Sequence, residues 1–454
     1  MDVATFVTTI FDGNLPVRIE AFDGSVGGED GAPVTIVVRN RDALRRVLTH
    51  PGELGLARAY VAGDLDVEGD LDALVSLDVP SFDLKAHAGA LAELARSFGA
   101  SIFTPVAAPS IEARSHGVLH SRRRDARSVT HHYDVSNRFY QYVLGPSMTY
   151  SCALFATPED SLESAQIRKV DLVARKLGLK PGDRLLDVGC GWGTMAIHAA
   201  RTYGARVVGV TLSKPQARYA SDRARALGLG DLVEFRVQDY RDVTDGPFDA
   251  ISSIGMAEHV GRRGLPAYTD TLTHLLVPGG RFLNHAIGRP ATHDEYPRPT
   301  RLDDLGHHLG LVFGTRRGAK TGSAFIDRYV FPDGELHQVG DLVGRFQSHG
   351  LEVRHLESLR EHYALTLRHW VANLERHWGD AVAEVGEARA RVWRLYMAAS
   401  AVAFERHHLE VHQILMVRPD RGASHLALRA TVDFEPDPDV VAAAVADLAR
   451  EGLR

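Results

Sequence analysis

Short apolar runs alternate with amphipathic segments through the middle of the chain. The runs that predict β-strands lie at 185–187, 207–210, 233–237, 248–254 and 281–286. The segments in which apolar residues recur at helical spacing, and which therefore predict helices, lie at 162–177, 214–226 and 268–276. Strands and helices that alternate in this way predict a doubly wound, Rossmann-like α/β sheet.

Polar residues stand at or just after the ends of these predicted strands. Because the carboxyl ends of parallel strands meet at one edge of a sheet, where ligands bind in open α/β folds, we expect five of them to converge. They are Asp187, Thr211, Asp239, Glu258 and His285. This convergence predicts a functional site more strongly than any single motif does.

A glycine-rich turn follows the first strand of this series. The stretch 184–196, RLLDVGCGWGTMA, predicts a strand, a tight loop and a helix, with Gly189, Gly191 and Gly193 at G-x-G-x-G spacing. Bare backbone and the unpaired N–H groups of a helix start let a ligand lie close to such a loop. The spacing is not the G-x-G-x-x-G of dinucleotide enzymes, and no G-K-[ST] follows to indicate a phosphate-binding P-loop.

The chain before this sheet predicts a smaller α+β domain over residues 1–110. Strands are expected at 17–21 and 34–38, and helices at 43–49, 55–62 and 83–98. The apolar face of the last helix packs on the core of its own domain or docks on a lipid bilayer, and we assign the domain to lipid association.

A basic linker is expected over residues 111–130. Its arginines form either a solvated face or a contact for anionic lipid headgroups. They are Arg114, Arg122, Arg123, Arg124 and Arg127.

The catalytic domain is expected to span residues 131–454. Its first part, rich in aromatic and hydroxyl side chains, is placed to fold over the carboxyl edge of the sheet. After the sheet, the pattern predicts a long helix over 384–406, a strand over 409–417 and a short C-terminal helix.

Composition and charge describe an ordinary globular chain. Of 454 residues, 44% are hydrophobic and 24% charged, and the net charge of −6 gives no indication of nucleic acid as a partner. The two cysteines, Cys152 and Cys190, are too few for a disulfide framework and favour a reducing compartment. No apolar run approaches the roughly 18 residues of a spanning helix. We therefore expect a cytoplasmic protein with peripheral membrane contact.

Eight sequence blocks follow one another between residues 132 and 370. They are HYDVSNRFYQYVLGPSMTYSCALF, LLDVGCGWG, GVTLSKPQ, QDYRDV, FDAISSIGMAEHVG, NHAIG, FIDRYVFPDGEL and HYALTLRHW. Together they resemble the cyclopropane-fatty-acyl-phospholipid synthase family, which includes the mycolic acid cyclopropane synthases. The resemblance implies an enzyme that uses S-adenosyl-L-methionine (SAM) to methylate lipid acyl chains.

The resemblance also implies which residues bind SAM. The set comprises Tyr150, Ser151, Asp187, Gly189, Gly191, Gly193, Thr211, Gln216, Asp239 and Tyr240. The glycines, with Tyr150 and Ser151, would hold the methionine part. Thr211 and Gln216 would reach the ribose, and Asp239 and Tyr240 would lie by the adenine. On residue type alone, Thr211 and Ser213 could instead cap the following helix.

Members of this family bind a bicarbonate ion as catalytic base, and no metal is expected. The matching positions are Cys152, Glu258, His285, Ile287 (through its backbone) and Tyr363. Methyl transfer from a sulfonium to an alkene builds positive charge on carbon, which an anion stabilises before it accepts the departing proton. Taken singly, each of these side chains would more often be an ordinary core residue.

The expected reaction is methyl transfer to a cis double bond of a phospholipid acyl chain, closed to a cyclopropane. The nearest alternative is a methylene-branched chain, which a reductase partner would convert to a 10-methyl product such as tuberculostearic acid. Two other classes stay open: a small-molecule N- or O-methyltransferase and a non-catalytic lipid-binding protein. The set of Cys152, Glu258, His285 and Tyr363 argues against the first class. The unbroken glycine loop and Glu258 argue against the second.

One departure from the family bears on the product. Many members carry Cys-Ala-x-Ala-Phe near the C-terminus, whereas this chain has Ser400 at the cysteine position, followed by Ala-Val-Ala-Phe. A thiol at that point is therefore not required here. This variant and the N-terminal block GLARAYVAGDLDVEGDL resemble actinobacterial relatives, which favours the branched-chain alternative. The resemblance further implies a homodimer at the inner face of the plasma membrane.

Overall fold

The computed structural model describes residues 1–11, 13, 15–77, 86–113, 135–291, 323–332, 334–428 and 436–451. These residues form two compact units. The first comprises the described residues of Met1–Ser115 and Thr292–Pro332 together with Trp378–Ala403. The second comprises the described residues of His116–Ala291, Asp333–His377 and Phe404–Arg454. The predicted basic linker lies, beyond residue 113, outside the described residues.

Helices and strands are numbered along the described chain. The helices are α1 (Val3–Ile10), α2 (Arg41–Thr49), α3 (Glu53–Val61), α4 (Leu71–Val75), α5 (Ala88–Phe98), α6 (Asn137–Leu144), α7 (Leu162–Leu177), α8 (Thr194–Tyr203), α9 (Lys214–Ala226), α10 (Ala257–Leu275), α11 (Ala324–Tyr329), α12 (Val339–Ser348), α13 (Arg360–Arg376), α14 (Trp378–Val385), α15 (Glu387–Glu405) and α16 (Pro438–Glu451). The strands are β1 (Arg18–Ala21), β2 (Val26–Gly28), β3 (Val34–Val38), β4 (Leu65–Gly69), β5 (Arg184–Val188), β6 (Arg206–Thr211), β7 (Val233–Val237), β8 (Phe248–Ile254), β9 (Leu276–Gly288), β10 (Glu352–Ser358) and β11 (Glu410–Val417).

The first unit contains a small sheet with strand order β2-β1-β3-β4 among its described residues. The predicted strands at 17–21 and 34–38 are confirmed as β1 and β3, and the predicted helices appear as α2, α3 and α5. The first part of the predicted helix over 83–98 lies outside the described residues. The rest packs on its own unit, since Leu94 is fully buried and the ring of Phe98 meets Phe22 at 5.8 Å.

The second unit holds the larger sheet, whose order in the described residues is β10-β11-β9-β8-β5-β6-β7. Strands β9, β8, β5, β6 and β7 are parallel neighbours, and β11 enters antiparallel between β9 and β10. The predicted α/β sheet is confirmed. In the described residues none of the helices combines the length and apolar character needed to cross a bilayer.

The predicted boundary between one helix and the strand that follows it is wrong. The helix expected at 268–276 is the second half of α10, which starts at Ala257 and is broken at Gly261, where the backbone has φ 69° and ψ 158°. Leu276 already begins β9, where it pairs with Phe248. The break at Gly261 separates the first turn of α10, which carries Glu258, from the part that packs on the sheet.

Helix α6 and the segment after it lie over the glycine loop. The indole Nε1 of Trp192 donates to Asn137 Oδ1 at 2.8 Å, and Thr194 Oγ1 donates to the Ser147 carbonyl at 2.6 Å. The expectation that this aromatic and hydroxyl-rich segment covers the carboxyl edge is confirmed for its described part.

Candidate active site

The glycine loop joins β5 to α8 in a backbone conformation that only glycine adopts readily. Gly189, Gly191 and Gly193 have φ values of 75°, 54° and 86°. A Cβ on Gly189 would lie 2.5 Å from Met256 Cγ, and one on Gly193 would lie 2.5 Å from Phe235 Cζ. A Cβ on Gly191 would meet nothing within 4 Å. Packing therefore requires the outer two glycines, and the middle one leaves its backbone open to a ligand.

Asp187 is the penultimate residue of β5, beside this loop. Its Oδ1 accepts a hydrogen bond from Ser252 Oγ at 2.7 Å, and its buried Oδ2 has no partner among the described residues. Burial raises the pKa of this carboxyl to about 6, against the Ser252 hydrogen bond and the charge of Lys169. An unpartnered buried oxygen at this edge is suited to accept a hydrogen bond from a ligand.

Thr211 and Gln216 are bound to each other at the end of β6. Thr211 Oγ1 donates to Gln216 Oε1 at 2.9 Å, and both side chains are buried. Ser213 Oγ accepts from the Gln216 N–H at 3.4 Å and caps α9. The structure thus shows the capping role for Ser213, and it places Thr211 beside it at the carboxyl edge.

Asp239 and Tyr240 follow β7. The carboxylate of Asp239 is engaged by Arg241, with its Nη2 at 2.6 Å, and it caps the 3₁₀ turn Tyr240–Asp242. The ring of Tyr240 is buried edge-on against Tyr268, with ring centroids 5.5 Å apart. Both residues lie at the predicted edge, and both already have partners in the protein.

Tyr150 and Ser151 precede α7, and Ser151 is bound to a buried lysine of that helix. Lys169 Nζ donates to Ser151 Oγ at 2.8 Å, and the ring of Tyr150 meets that of Trp370 at 5.2 Å. Burial lowers the pKa of Lys169 to about 8, and the charges of Cys152 and Asp187 oppose this shift. Lys169 was not predicted as a site residue. The sequence feature that could have identified it is a charged residue on the apolar face of the predicted helix 162–177.

Glu258 lies in the first turn of α10 and is held from β9. Its Oε1 accepts a hydrogen bond from the Ile287 N–H at 2.6 Å, while its buried Oε2 has no partner among the described residues. Burial raises the pKa of Glu258 to about 7, which the Ile287 hydrogen bond partly offsets. A carboxyl with this pKa exchanges a proton near neutral pH.

His285 stands on β9, two residues before Ile287, with its carbonyl accepting from the Gly255 N–H at 2.8 Å. Its Nδ1 lies 3.2 Å from Gln413 Nε2, and its buried Nε2 has no partner in the described part of the chain. Burial lowers the pKa of His285 well below its usual range, and Lys169, Lys176 and His412 lower it further. The ring is therefore neutral.

Cys152 and Tyr363 are brought together through Leu359. The thiol of Cys152 contacts the Leu359 carbonyl at 3.5 Å, and the Tyr363 N–H donates to the same carbonyl at 3.1 Å. Burial raises the pKa of the Cys152 thiol far above its usual range, so this cysteine is not a nucleophile. The ring of Tyr363 stacks on Phe404 at 4.6 Å.

Lys169 interacts both with the predicted SAM-binding residues and with the predicted bicarbonate-binding residues. Lys169 acts electrostatically on Asp187, at the start of the glycine loop, and on both Cys152 and His285.

A parallel sheet with an antiparallel strand inserted near one edge, and a G-x-G-x-G loop after its first strand, define the class of SAM-dependent methyltransferases.

Comparison with known proteins identifies the family. Residues 120–414 match the family model of mycolic acid cyclopropane synthetase. The chain is 47% identical to a probable fatty acid methyltransferase of Mycobacterium tuberculosis over 92% of this chain and 95% of that protein. It is 34% identical to the tuberculostearic acid methyltransferase of the same organism, over 89% and 88% of the two chains. It is 32% identical to the cyclopropane-fatty-acyl-phospholipid synthase of Escherichia coli K12, over 85% and 88%.

A solved structure agrees with these relatives. The mycolic acid cyclopropane synthase CmaA1, in complex with SAH and CTAB, superposes with a TM-score of 0.58 at 32% identity over 64% of this chain and 98% of that one. The chain belongs to the mycolic acid cyclopropane synthetase family and is a SAM-dependent methyltransferase of the cyclopropane-fatty-acyl-phospholipid synthase type.

The contrast between Gly191 and Gly193 gives a testable prediction. Gly193→Ala should destabilise the protein by roughly 2–4 kcal/mol, because a Cβ is both strained at this φ and crowded by Phe235. Gly191→Ala should cost about 1 kcal/mol, from strain alone, and should weaken SAM binding. Urea unfolding and SAM titration measure the two effects. Gly340→Ala, on the open face of α12, is the control, and equal losses at positions 191 and 193 would contradict the packing argument.

Proposed function

We propose that this chain transfers a methyl group from SAM to a cis double bond of a phospholipid acyl chain and closes a cyclopropane ring. The observation that carries the proposal is two buried atoms at the carboxyl edge, Glu258 Oε2 and His285 Nε2, that have no partner among the described residues. Ile287, whose N–H binds Glu258 Oε1, lies two residues after His285 on β9. A carboxyl that exchanges protons and a neutral imidazole suit a reaction that loses a proton from carbon.

The residues of the glycine loop fit SAM. The open backbone at Gly191 and the unpartnered Asp187 Oδ2 offer a surface and an acceptor to the charged methionine part. When bound, SAM supplies the activated methyl group. Tyr150 and Ser151 lie shortly after Ser147, whose carbonyl binds Thr194 at the end of the loop, and Lys169 holds Ser151 in place.

The second set of residues fits a small anion such as bicarbonate. When bound, that ion would supply a base close to the reacting carbon. Within the protein, the Ile287 N–H holds Glu258 Oε1 and leaves Oε2 able to exchange a proton, while His285 Nε2 is buried without a partner in the described part of the chain. Cys152 and Tyr363 would close the site from the Leu359 side.

The second candidate is formation of a methylene-branched acyl chain, followed by a reductase partner. The similarity to a tuberculostearic acid methyltransferase supports this branch, while the similarities to cyclopropane synthases support ring closure. We place ring closure slightly ahead. A small-molecule N- or O-methyltransferase would not need the buried set around Glu258. The homodimer and the location at the inner face of the plasma membrane stay predictions.

The product distinguishes the two candidates. Purified protein incubated with SAM and oleoyl-phospholipid vesicles should add one CH₂ to the acyl chains by mass spectrometry. The proton NMR spectrum should then contain upfield ring protons. Vinylidene protons with the same mass gain would contradict ring closure and establish the methylene branch. No mass gain on any lipid, with SAM still bound, would refute a membrane lipid as substrate.

Glu258 gives a sharper test of the mechanism. Glu258→Gln keeps an oxygen for the Ile287 N–H but removes proton exchange, so turnover should fall at least about 100-fold with SAM affinity unchanged. Because the pKa of Glu258 is about 7, wild-type turnover should rise as the pH passes through that value and the carboxyl loses its proton. Glu234→Gln, at an exposed position on β7, is the matched control. Normal turnover in Glu258→Gln would exclude this role.

Peripheral membrane contact is the remaining proposal, since the substrate is a lipid. The protein should co-sediment with anionic vesicles, and added salt should weaken binding because it screens the arginines of the linker. Replacement of Arg122, Arg123 and Arg124 by glutamine should lower the bound fraction. If the wild-type protein and the variant bind equally, or if neither binds any vesicle, these arginines do not contact lipid headgroups and form a solvated face.

A further inference from the structure

A buried glutamine links His285 to the charged pair of Lys176 and Glu357. Gln413, on β11, is fully buried. Its Oε1 accepts from Lys176 Nζ at 2.8 Å, and its Nε2 lies 3.2 Å from His285 Nδ1. Lys176, itself fully buried, also pairs with Glu357. The side chains therefore form one continuous polar network, in the order Glu357–Lys176–Gln413–His285.

The lysine fixes the orientation of the glutamine amide. An ammonium group donates hydrogen bonds and accepts none, so the oxygen of the amide must face Lys176. The amide nitrogen must then face His285, and because it is also a donor, Nδ1 of the imidazole must be the acceptor. A neutral imidazole that accepts at Nδ1 carries its proton at Nε2.

We propose that Gln413 and Lys176 are positioning residues that hold His285 in the tautomer protonated at Nε2. His285 thereby presents a hydrogen-bond donor at the carboxyl edge, in place of a second acceptor beside Glu258. This inference rests on the proposed function, in which an anion is bound at that edge. An anion needs donors around it, and a ring protonated at Nδ1 would offer a lone pair instead.

The neighbouring charges agree with a neutral ring. Lys169 and Lys176 both act on His285 from α7, His412 acts from the adjacent position on β11, and all three oppose a positive charge on the imidazole. Glu357 pairs with Lys176 and stabilises its positive charge, so the ammonium group remains the donor that orients the Gln413 amide. If the network served only to give the buried Lys176 its hydrogen-bond partners, it would not have to include a histidine.

The tautomer is directly measurable in the full-length protein. In ¹⁵N-histidine NMR spectra the protonated and unprotonated ring nitrogens have separate shifts, and subtraction of a His285→Gln spectrum identifies the signal among 23 histidines. The wild-type protein should show the proton at Nε2. A proton at Nδ1 would overturn the proposal without any further variant.

One substitution in the network should move the proton on His285, and a second should leave it in place. Gln413→Glu turns the donor into an acceptor, so His285 should shift to the tautomer protonated at Nδ1, and turnover should fall roughly 10- to 100-fold at unchanged SAM affinity. Lys176→Arg keeps the donor that orients the amide, so the Nε2 tautomer should persist. Gln347→Glu, the same change at an exposed position on α12, should alter neither the spectrum nor turnover.

The outcomes separate this inference from the function it rests on. If Gln413→Glu folds and still shows the proton at Nε2, the glutamine does not set the tautomer and the proposal fails. If the tautomer follows the prediction but Glu258→Gln turns over normally, the positioning network stands and the proposed mechanism fails. If Gln413→Glu does not fold, Lys176→Met replaces it and should give a mixture of both tautomers. A pure Nε2 tautomer in that variant would also refute the proposal.

Discussion

The site depends on one constraint: the ionisable groups at the carboxyl edge of the larger sheet are buried away from water. Asp187, Glu258, His285 and Lys169 are all buried there, and burial is the largest cause of the pKa shift of each. Buried charge is costly unless it is paired, so each group is either neutralised or held by a single defined hydrogen bond. The same cost leaves Glu258 poised near neutral pH, where proton exchange is most effective.

The parts of the fold that were predicted from sequence are those in which one face or both faces of an element are apolar. Strands β6, β7 and β8 and helices α7 and α9 follow the apolar pattern closely. Strand β10 was missed because it lies at the edge of the sheet, and its residues alternate between intermediate and exposed positions without an apolar run. The grouping of Trp378–Ala403 with the N-terminal residues was also missed, since contacts so distant in sequence leave no local pattern.

Some residues of the candidate site could likewise be predicted from the local sequence pattern, and others could not. The glycines, Asp187 and Thr211 follow from strand ends and spacing, and the structure brings them to one edge. Cys152 and Tyr363 were available only through family resemblance, because nothing in their local pattern indicates the shared Leu359 carbonyl. Lys169 and Gln413 were missed, although both are polar residues inside apolar faces. A buried polar residue must have a partner, so such positions are informative even when they interrupt a pattern.

The place of β11 in the sheet has a consequence for synthesis. This strand comes late in the chain, yet it lies between β9 and β10 and pairs with both. While the chain emerges from the ribosome, β9 therefore exposes an unpaired edge with apolar neighbours until about residue 417 has been made. Chaperone binding to the nascent protein should concentrate in this interval, and chains truncated before β11 should aggregate rather than persist as inactive but soluble fragments.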